Sequence, residues 1–133
     1  MSSKLSLTRI QIAWLAGLLE GEGYFGIDKR AKTRYKNSTA PDSPFIKISM
    51  VDRDVIDKVS FLLNKKTFSP KRFTTKNKKV YTCHIGDRET LLYLLPKIKP
   101  YMGGRRKETI HEQILELKKW QLWKKNRKNN PSL

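Results

Sequence analysis

Apolar residues along the chain recur first at helical spacing and then at every second position, and this switch occurs twice. Helical spacing predicts an amphipathic helix, whereas strict alternation predicts a half-buried strand. The predicted elements are, in order, a helix at 8–19, strands at 24–30 and 45–50, a helix at 53–64, strands at 72–75 and 80–85, a short helix between Asp87 and Pro96, and a last helix at 105–125. This order predicts a single α+β domain, residues 1–133, of the form αββαββα with a further helical segment at its end.

Local signals mark several element ends. Thr8 with Gln11 three residues later has the form of a capping box, and Asp87 is a good N-cap. Residues 29–44 form a long connection, rich in basic residues and containing two prolines, so we expect it to be mobile without a ligand. The tail from Asn126 is polar, and we expect it to fray.

Alternation also assigns a face to each strand residue. The inward positions are apolar: Phe25, Ile27, Ile46, Ile48, Met50, Tyr81, Cys83 and Ile85. The outward positions are polar, basic or small: Tyr24, Gly26, Asp28, Arg30, Lys47, Ser49, Arg72, Thr74, Thr82 and His84. A sheet built from these strands therefore has one core face and one polar face.

Composition indicates a polyanionic partner. The 133 residues carry 29 basic against 12 acidic side chains, a formal charge of +17, which exceeds what solubility requires. Residues 65–79 contain seven basic residues and no acid, which favours phosphate contact over a merely solvated loop. No apolar run approaches the roughly 20 residues of a spanning helix and no signal peptide is visible, so we expect no membrane partner. The single cysteine, Cys83, excludes an internal disulfide and fits a reducing, intracellular compartment.

The most specific stretch is residues 14–23, where an apolar helix runs into two acids set between glycines. A mid-helix glycine such as Gly17 costs roughly 1 kcal/mol against alanine, unless close packing recovers the loss. Ala16 and Gly17 therefore predict a helix that another backbone approaches closely. The end of this helix presents Glu20 and Glu22.

Residues 15–23, LAGLLEGEG, resemble the signature of the LAGLIDADG homing endonucleases, with glutamate in both places where the family name spells aspartate. The resemblance implies that Glu22 holds a divalent metal at the scissile phosphate and that Gly21 offers its carbonyl as a further ligand. It places Glu20 on the more structural acid, which braces the helix junction. Because the motif occurs once, we expect a homodimer of paired motif helices. The expected interface residues are Trp14, Ala16, Gly17 and Glu20.

The resemblance also implies a curved antiparallel four-stranded sheet, a saddle whose concave face lies along the DNA major groove. The residues then expected to contact double-stranded DNA are Tyr24, Gly26, Asp28, Arg30, Lys32, Arg34, Lys47, Ser49, Arg72, Thr74, Thr82 and His84. Alternate side chains of a strand recur at roughly 6.6 Å, close to two base-pair steps. Paired strands can therefore address nearly every base over half a site.

The implied activity is that of an endodeoxyribonuclease making a staggered double-strand break in a long pseudo-palindromic target. Mg²⁺ is the expected cofactor, with Mn²⁺ as a substitute and Ca²⁺ supporting binding without cleavage. A basic active-site residue follows a proline-aromatic turn in this family. Here the turn is Pro100-Tyr101, and Arg105 and Arg106 are the candidates, with Lys99 as a further one. Met50 departs from relatives that carry a polar, water-ordering residue at that position.

Two other functions fit the same scaffold. A maturase, an RNA-binding splicing cofactor, would keep the basic saddle and could dispense with metal. A sequence-specific DNA-binding regulator would have lost cleavage, and with it the acid that Glu22 still provides. The length of the chain, with no flanking splicing domain, argues against an intein. The resemblance implies an intron-encoded mobile element. The expected compartment is the cytoplasm of a bacterium or phage-infected cell, or a mitochondrion or chloroplast.

Overall fold

The computed structural model describes residues 5–29, 40–70, 73–74 and 76–129. The elements are α1 (Arg9–Glu22), β1 (Gly23–Asp28), β2 (Ser43–Met50), α2 (Arg53–Leu62), β3 (Tyr81–Ile85), α3 (Arg88–Ile98), a 3₁₀ turn (Lys99–Tyr101) and α4 (Gly104–Asn129). The α+β class is confirmed, with three strands rather than four in the part of the chain that the structure describes.

Helix α1 begins at the expected capping box. Thr8 Oγ1 accepts the Gln11 N–H at 3.1 Å, and Gln11 Oε1 accepts the Thr8 N–H at 2.9 Å. The helix runs to Glu22 instead of ending at residue 19, because the Gly23 N–H still reaches the Leu19 carbonyl and closes a last turn. Both motif acids therefore stand on the helix, immediately before β1.

The strands form one antiparallel sheet in the order β1-β2-β3. Across it, Tyr24 lies opposite Lys47, which lies opposite His84. Since β1 follows α1 without a loop, the motif acids stand at the start of an edge strand.

The fourth strand expected at 72–75 is not formed among the described residues. The segment beside β3 makes two isolated bridges, Phe68 with Thr82 and Phe73 with Lys79. Four residues (69–72) separate the two bridges on one side and two (80–81) on the other, and this unequal spacing does not fit a regular antiparallel ladder. Pro70 also has no N–H to donate.

The core lies between one face of the sheet and the helices. The inward strand positions other than Ile27 are confirmed, because they belong to the buried core or pack against it. Ile27 is half-buried and lines a surface groove instead. Fully buried members of the cluster include Leu15, Leu19, Ile46, Ile48, Ile56, Cys83, Ile85, Leu91, Leu94, Leu95, Ile98, Ile110 and Leu117. Burial raises the pKa of the Cys83 thiol, although Ser60 and Lys65 act in the opposite direction. Cys83 is therefore a core residue.

Two helices continue past their expected ends. Helix α3 includes Pro96 and runs to Ile98, whose complete burial offsets the one backbone hydrogen bond that the proline cannot make. Helix α4 runs to Asn129, so residues 126–129 are not the frayed tail that we expect from their polarity. No glycine or proline interrupts residues 121–128, which lets the helix propagate. None of the described helices is long and apolar enough to cross a bilayer.

Candidate nucleic-acid interface

The face of the sheet opposite the helices carries most of the residues expected to contact DNA, and we call it the outer face. Tyr24, Lys47 and His84 stand side by side across β1, β2 and β3. Tyr24 and His84 are exposed, and Lys47 is half-buried. Asp28 and Ser49, also half-buried, lie on the same face on either side of this line.

Two residues expected on this face to contact DNA are covered. Thr82 is fully buried, because Phe68 bridges to its backbone and the Ser49 Oγ lies 2.8 Å from its hydroxyl. Gly26 is buried beneath the ring of Phe45, and a Cβ added there would lie 2.6 Å from that ring. Contrary to expectation, Thr82 therefore presents no side chain to DNA, and Gly26 has none to present beneath the Phe45 ring, because alternation assigns a face but not what covers it.

The remaining expected contacts lie away from the sheet. Thr74 is in a turn, where its hydroxyl accepts the Lys78 N–H at 3.1 Å. Residues 76–79 beside it are exposed. Four further expected contacts lie outside the described residues: Arg30, Lys32, Arg34 and Arg72. DNA contact by these residues stays a prediction.

An aromatic cluster on the outer face was missed by the sequence pattern. The ring of Phe45 lies 5.7 Å from that of Tyr24 and 5.3 Å from that of His84, measured between centroids. Phe45 and His84 are stacked, with 19° between their planes. We call Tyr24, Phe45 and His84 the aromatic row. Alternation could have found Phe45, because it precedes the inward-facing Ile46.

Two grooves meet at the centre of β2. The first, of about 530 Å³, has Asp28, Lys29, Ser43, Phe45, Lys47 and His84 among its lining residues. The second, of about 340 Å³, is lined by Glu22, Tyr24, Phe45, Lys47 and Ser49. Phe45 and Lys47 belong to both grooves. The Glu22 carboxylate therefore opens onto the same surface as the residues expected to contact bases.

Glu22 and Gly21 offer oxygen ligands of the kind that Mg²⁺ prefers. Both residues are exposed in the last turn of α1, where backbone carbonyls have no intrahelical partner. The structure brings together no group of three or more His, Cys, Asp or Glu side chains that could hold a metal, as far as the described ranges go. Among the described residues, Glu22 and Gly21 would therefore need water, phosphate or a second chain to complete the coordination of a metal.

Glu20 lies in different surroundings from Glu22. Its Oε1 accepts the Gly103 N–H at 3.1 Å, and its Oε2 lies 3.0 Å from Arg106 Nε. The same Arg106 Nε donates to the Glu20 carbonyl at 3.1 Å, and its guanidinium lies 5.2 Å from the Phe25 ring. These contacts join the end of α1 to the start of α4, as the resemblance implies for the first acid.

The two arginines after the Pro-Tyr turn differ in their surroundings. Arg105 is exposed, whereas the Arg106 side chain is 19% exposed and engaged by Glu20. Lys99 is half-buried in the 3₁₀ turn. The catalytic assignment of Arg105 and Arg106 stays a prediction, and the geometry leaves Arg105 freer to meet a phosphate.

Comparison with known proteins agrees with this arrangement. A model of the LAGLIDADG-like domain matches residues 9–99, which is more than half of the chain. The chain belongs to the LAGLIDADG family. No protein of curated function matches this LAGLIDADG sequence significantly.

Solved structures show the same fold. The homing endonuclease I-CvuI in complex with its target has a TM-score of 0.58 and 15% identity over 81% of this chain and 66% of that one. The archaeal intron-encoded homing endonuclease I-Vdi141I, complexed with DNA, has a TM-score of 0.59 and 16% identity over 80% and 67%. The group I intron-encoded homing endonuclease I-CeuI, complexed with DNA, has a TM-score of 0.61 and 14% identity over 96% and 62%. The LAGLIDADG chain thus spans about two thirds of the length of these proteins.

The LAGLIDADG helix α1 has an exposed face of apolar and small residues. Ile10, Ala13, Gly17 and Gly21 recur along it every three or four residues, and all are exposed. Ala16 is fully buried in the core of its own chain, so the expectation that it lies in a dimer interface is wrong. The reason is helical spacing, which aligns it with the core side of α1.

Trp14 and Glu20, also expected at the interface, already have partners in their own chain. The Lys58 ammonium lies 4.0 Å from the centroid of the half-buried Trp14 ring. The Glu20 carboxylate is held by Gly103 and Arg106. Contact of either residue with a second chain stays a prediction.

Proposed function

We propose that this LAGLIDADG protein is a site-specific DNA endonuclease that binds duplex DNA along the outer face and cleaves it at Glu22. The observation that carries the proposal is the groove that Glu22 shares with Tyr24, Lys47 and Ser49. A carboxylate in that groove is placed to act on a phosphodiester bound to the same surface. The net charge of +17 provides affinity for a polyanion. The similar proteins I-Vdi141I and I-CeuI are homing endonucleases complexed with DNA, which supports the same substrate here.

A divalent cation fits the oxygen ligands of Glu22 and Gly21. Mg²⁺ is usually held by one or two carboxylates together with substrate phosphates and water, so a single acid per chain is sufficient. The similar protein I-CvuI was studied in complex with DNA in the presence of 2 mM Ca and of 2 mM Mg, and in the latter structure the DNA is not cleaved. From the chemistry of hard cations we expect Mg²⁺ or Mn²⁺ to support cleavage by this chain and Ca²⁺ to support binding alone.

The residues of the chain would orient the DNA and balance its charge. Glu22 would hold the cation at the scissile phosphate, and the exposed Arg105 would face the negative charge that develops there. The contacts of Glu20 with Arg106 keep the end of α1 and the start of α4 in a fixed relation. When bound, the cation lowers the pKa of the attacking water and stabilises the leaving oxygen.

Cleavage of both strands would require two copies of the chain, because the motif occurs once. We infer a homodimer through the exposed face of α1, where Gly17 and Gly21 allow another backbone to come close. Two-fold symmetry would place one Glu22 at each strand. The product would be a staggered break in a pseudo-palindromic site.

Glu22→Gln separates catalysis from binding. The amide keeps the shape of the side chain but loses the negative charge that holds a hard cation. In a buffer with Mg²⁺, the variant should no longer linearise a plasmid that carries the genomic locus of the gene. Gel retardation in Ca²⁺-free buffer should be retained or strengthened, because one repulsion against phosphate is removed.

Glu20→Gln is the matched control, since it makes the same chemical change two residues away. This variant should mainly lower the stability of the protein. Its cleavage activity should fall only in proportion to the loss of folded protein. Cleavage by Glu22→Gln at the wild-type rate would overturn the assignment. Tight binding of intron RNA with no cleavage of any duplex would favour the maturase instead.

A further inference from the structure

The aromatic row is an apolar patch in an otherwise polar and basic surface, and the cleavage chemistry does not use it. Glycines make room for its rings. A Cβ at Gly26 would lie 2.6 Å from the Phe45 ring, and a Cβ at Gly86 would lie 2.9 Å from the His84 ring. The rings can therefore lie close to the sheet. Phe45 is held between Tyr24 and His84 and has no group that could form a conventional hydrogen bond to a base.

The base edges of the DNA major groove present one apolar group, the C5-methyl of thymine. A phenyl ring in a surface that faces this groove is complementary to that methyl. We propose that the aromatic row reads a thymine methyl in each half-site, with Phe45 as the specificity-determining contact. Tyr24 and His84 position its ring. The inference rests on the proposed DNA-binding function and deepens it by naming one base that the surface selects.

The spacing of the rings argues against stacking of an unpaired base. A base inserted between two rings needs about 6.8 Å between them, twice the stacking distance of about 3.4 Å. The Phe45 ring lies 5.7 Å and 5.3 Å from its neighbours, so neither gap admits a base. Single-stranded RNA is commonly bound by aromatic side chains with a free face. Phe45, half-buried between its two neighbours, has no such free face and therefore favours contact with the edge of a paired base.

The register along β1 predicts where the thymine lies. Phe45 is paired with Gly26, which is four residues beyond Glu22. Four residues of extended strand span about 13 Å, which is about four base-pair steps. We therefore expect the thymine about four base pairs from the phosphate that Glu22 addresses.

The test begins with selection of bound duplexes from a randomised pool by the full chain in Ca²⁺. A thymine should be enriched at one position of each half-site. Each thymine of the selected site is then replaced by deoxyuridine, which removes the methyl and nothing else. At the predicted position the replacement should weaken binding about fourfold per half-site, the factor for losing burial of one methyl-sized group.

Three variants assign the effect to the aromatic row. Phe45→Ala should bind the thymine site more weakly and should show no further loss with deoxyuridine. Lys47→Ala, on the same strand and face, should also bind more weakly but should keep the fourfold effect. Phe45→Leu, which stays apolar, should retain at least part of the discrimination if the alanine variant fails to fold.

The outcomes separate the two proposals. If the protein selects a duplex but no thymine is sensitive to deoxyuridine, the aromatic row does not read a methyl, and the proposed endonuclease function is unaffected. If the protein selects no duplex sequence, or prefers single-stranded RNA, both proposals are overturned.

Discussion

Gln113 is a buried polar side chain that forms hydrogen bonds to two strands. It is fully buried on α4, and its Nε2 donates to the Gly26 carbonyl at 2.9 Å and to the Phe45 carbonyl at 3.0 Å. These two residues pair across β1 and β2 under the aromatic row. Gln113 therefore fixes the backbone of the outer face from the core side.

Gln113→Met should destabilise the protein, because it keeps a similar unbranched shape but leaves two strand carbonyls without their donor. We expect a loss of roughly 1–3 kcal/mol in the free energy of unfolding, measured by urea denaturation. Glu112→Met changes the exposed neighbour on the same helix and should stay within about 0.5 kcal/mol of wild type. Equal stability of the two variants would show that the two hydrogen bonds contribute no more than the buried Gln113 Oε1, which has no hydrogen-bond partner among the described residues, costs.

For individual residues, sequence periodicity predicts well the face to which a side chain points, but it predicts poorly whether that side chain is buried. It identifies the outer face, yet Thr82 is buried there because Phe68 covers it. Gln113 sits three residues after Ile110 and four before Leu117, so helical spacing places it in the apolar stripe. That spacing could have predicted the burial of Gln113. The two carbonyls that accept from Gln113 could not be predicted, because they depend on the packing of α4 against the sheet.

Asp87 joins two helices, since it caps α3 and pairs with Lys65 beyond the end of α2. Its carboxylate accepts the Thr90 N–H at 3.1 Å and forms an ion pair with Lys65. Burial acts to raise the pKa of Asp87, but hydrogen bonds from Lys65 and Thr90 and the Lys65 charge together lower it. The unfolded carboxyl has a pKa of about 3.9. The stabilisation is therefore present above about pH 4 and is lost as the pH falls through the lower, folded pKa.

Asp87→Asn keeps an N-cap but loses the charge. We expect it to be less stable than wild type by about 0.5 kcal/mol at pH 7, a small value because the pair is partly exposed. This difference should close as the pH falls below the unfolded pKa and through the lower, folded pKa of Asp87, which thermal unfolding at a series of pH values can follow. Glu108→Gln, on the exposed side of α4, controls for the change in net charge. A difference that stays constant down to pH 2 would exclude the ion pair as its source.

Element types were predictable from sequence, but their ends depended on tertiary contacts. The motif helix gains a turn through the Gly23 N–H bond to Leu19, and α3 passes Pro96 because Ile98 is buried. The segment expected to form the fourth strand makes isolated bridges at Phe68 and Phe73 among its described residues. The number of residues between these bridges differs from the number between their partners, Thr82 and Lys79. None of these outcomes is visible in a window of local sequence.

The whole molecule carries a large positive charge, and its distribution can be tested through salt. Each neutralised phosphate contributes about −0.9 to the slope of log K against log salt. Lys47→Ala, on the outer face, should make the slope shallower by about one in filter-binding or fluorescence assays. Lys118→Ala, exposed on α4 on the helical side of the sheet, should leave it unchanged. Equal slopes for both variants would mean that DNA does not lie on the outer face.

The contact between two chains was expected at Ala16 and Gly17, but the structure places these two residues on different sides of α1. The sequence indicates close helix packing through Ala16 and Gly17, but Ala16 belongs to the core and Gly17 to the exposed face. A Cβ at Gly17 would meet nothing within 4 Å in the single chain. Larger residues there should therefore be tolerated by the fold, and removal of a mid-helix glycine should add up to about 1 kcal/mol to its stability.

Gly17→Leu should thus give a well-folded protein that no longer dimerises. Sedimentation should show a monomer where the wild type is a dimer, and cleavage of both strands should be lost, because overpacking a close helix contact costs about 1–3 kcal/mol or more. Gln121→Leu adds the same side chain at an exposed position of α4 and should change neither property. A Gly17→Leu protein that remains dimeric and active would place the contact between chains elsewhere than on the exposed face of α1.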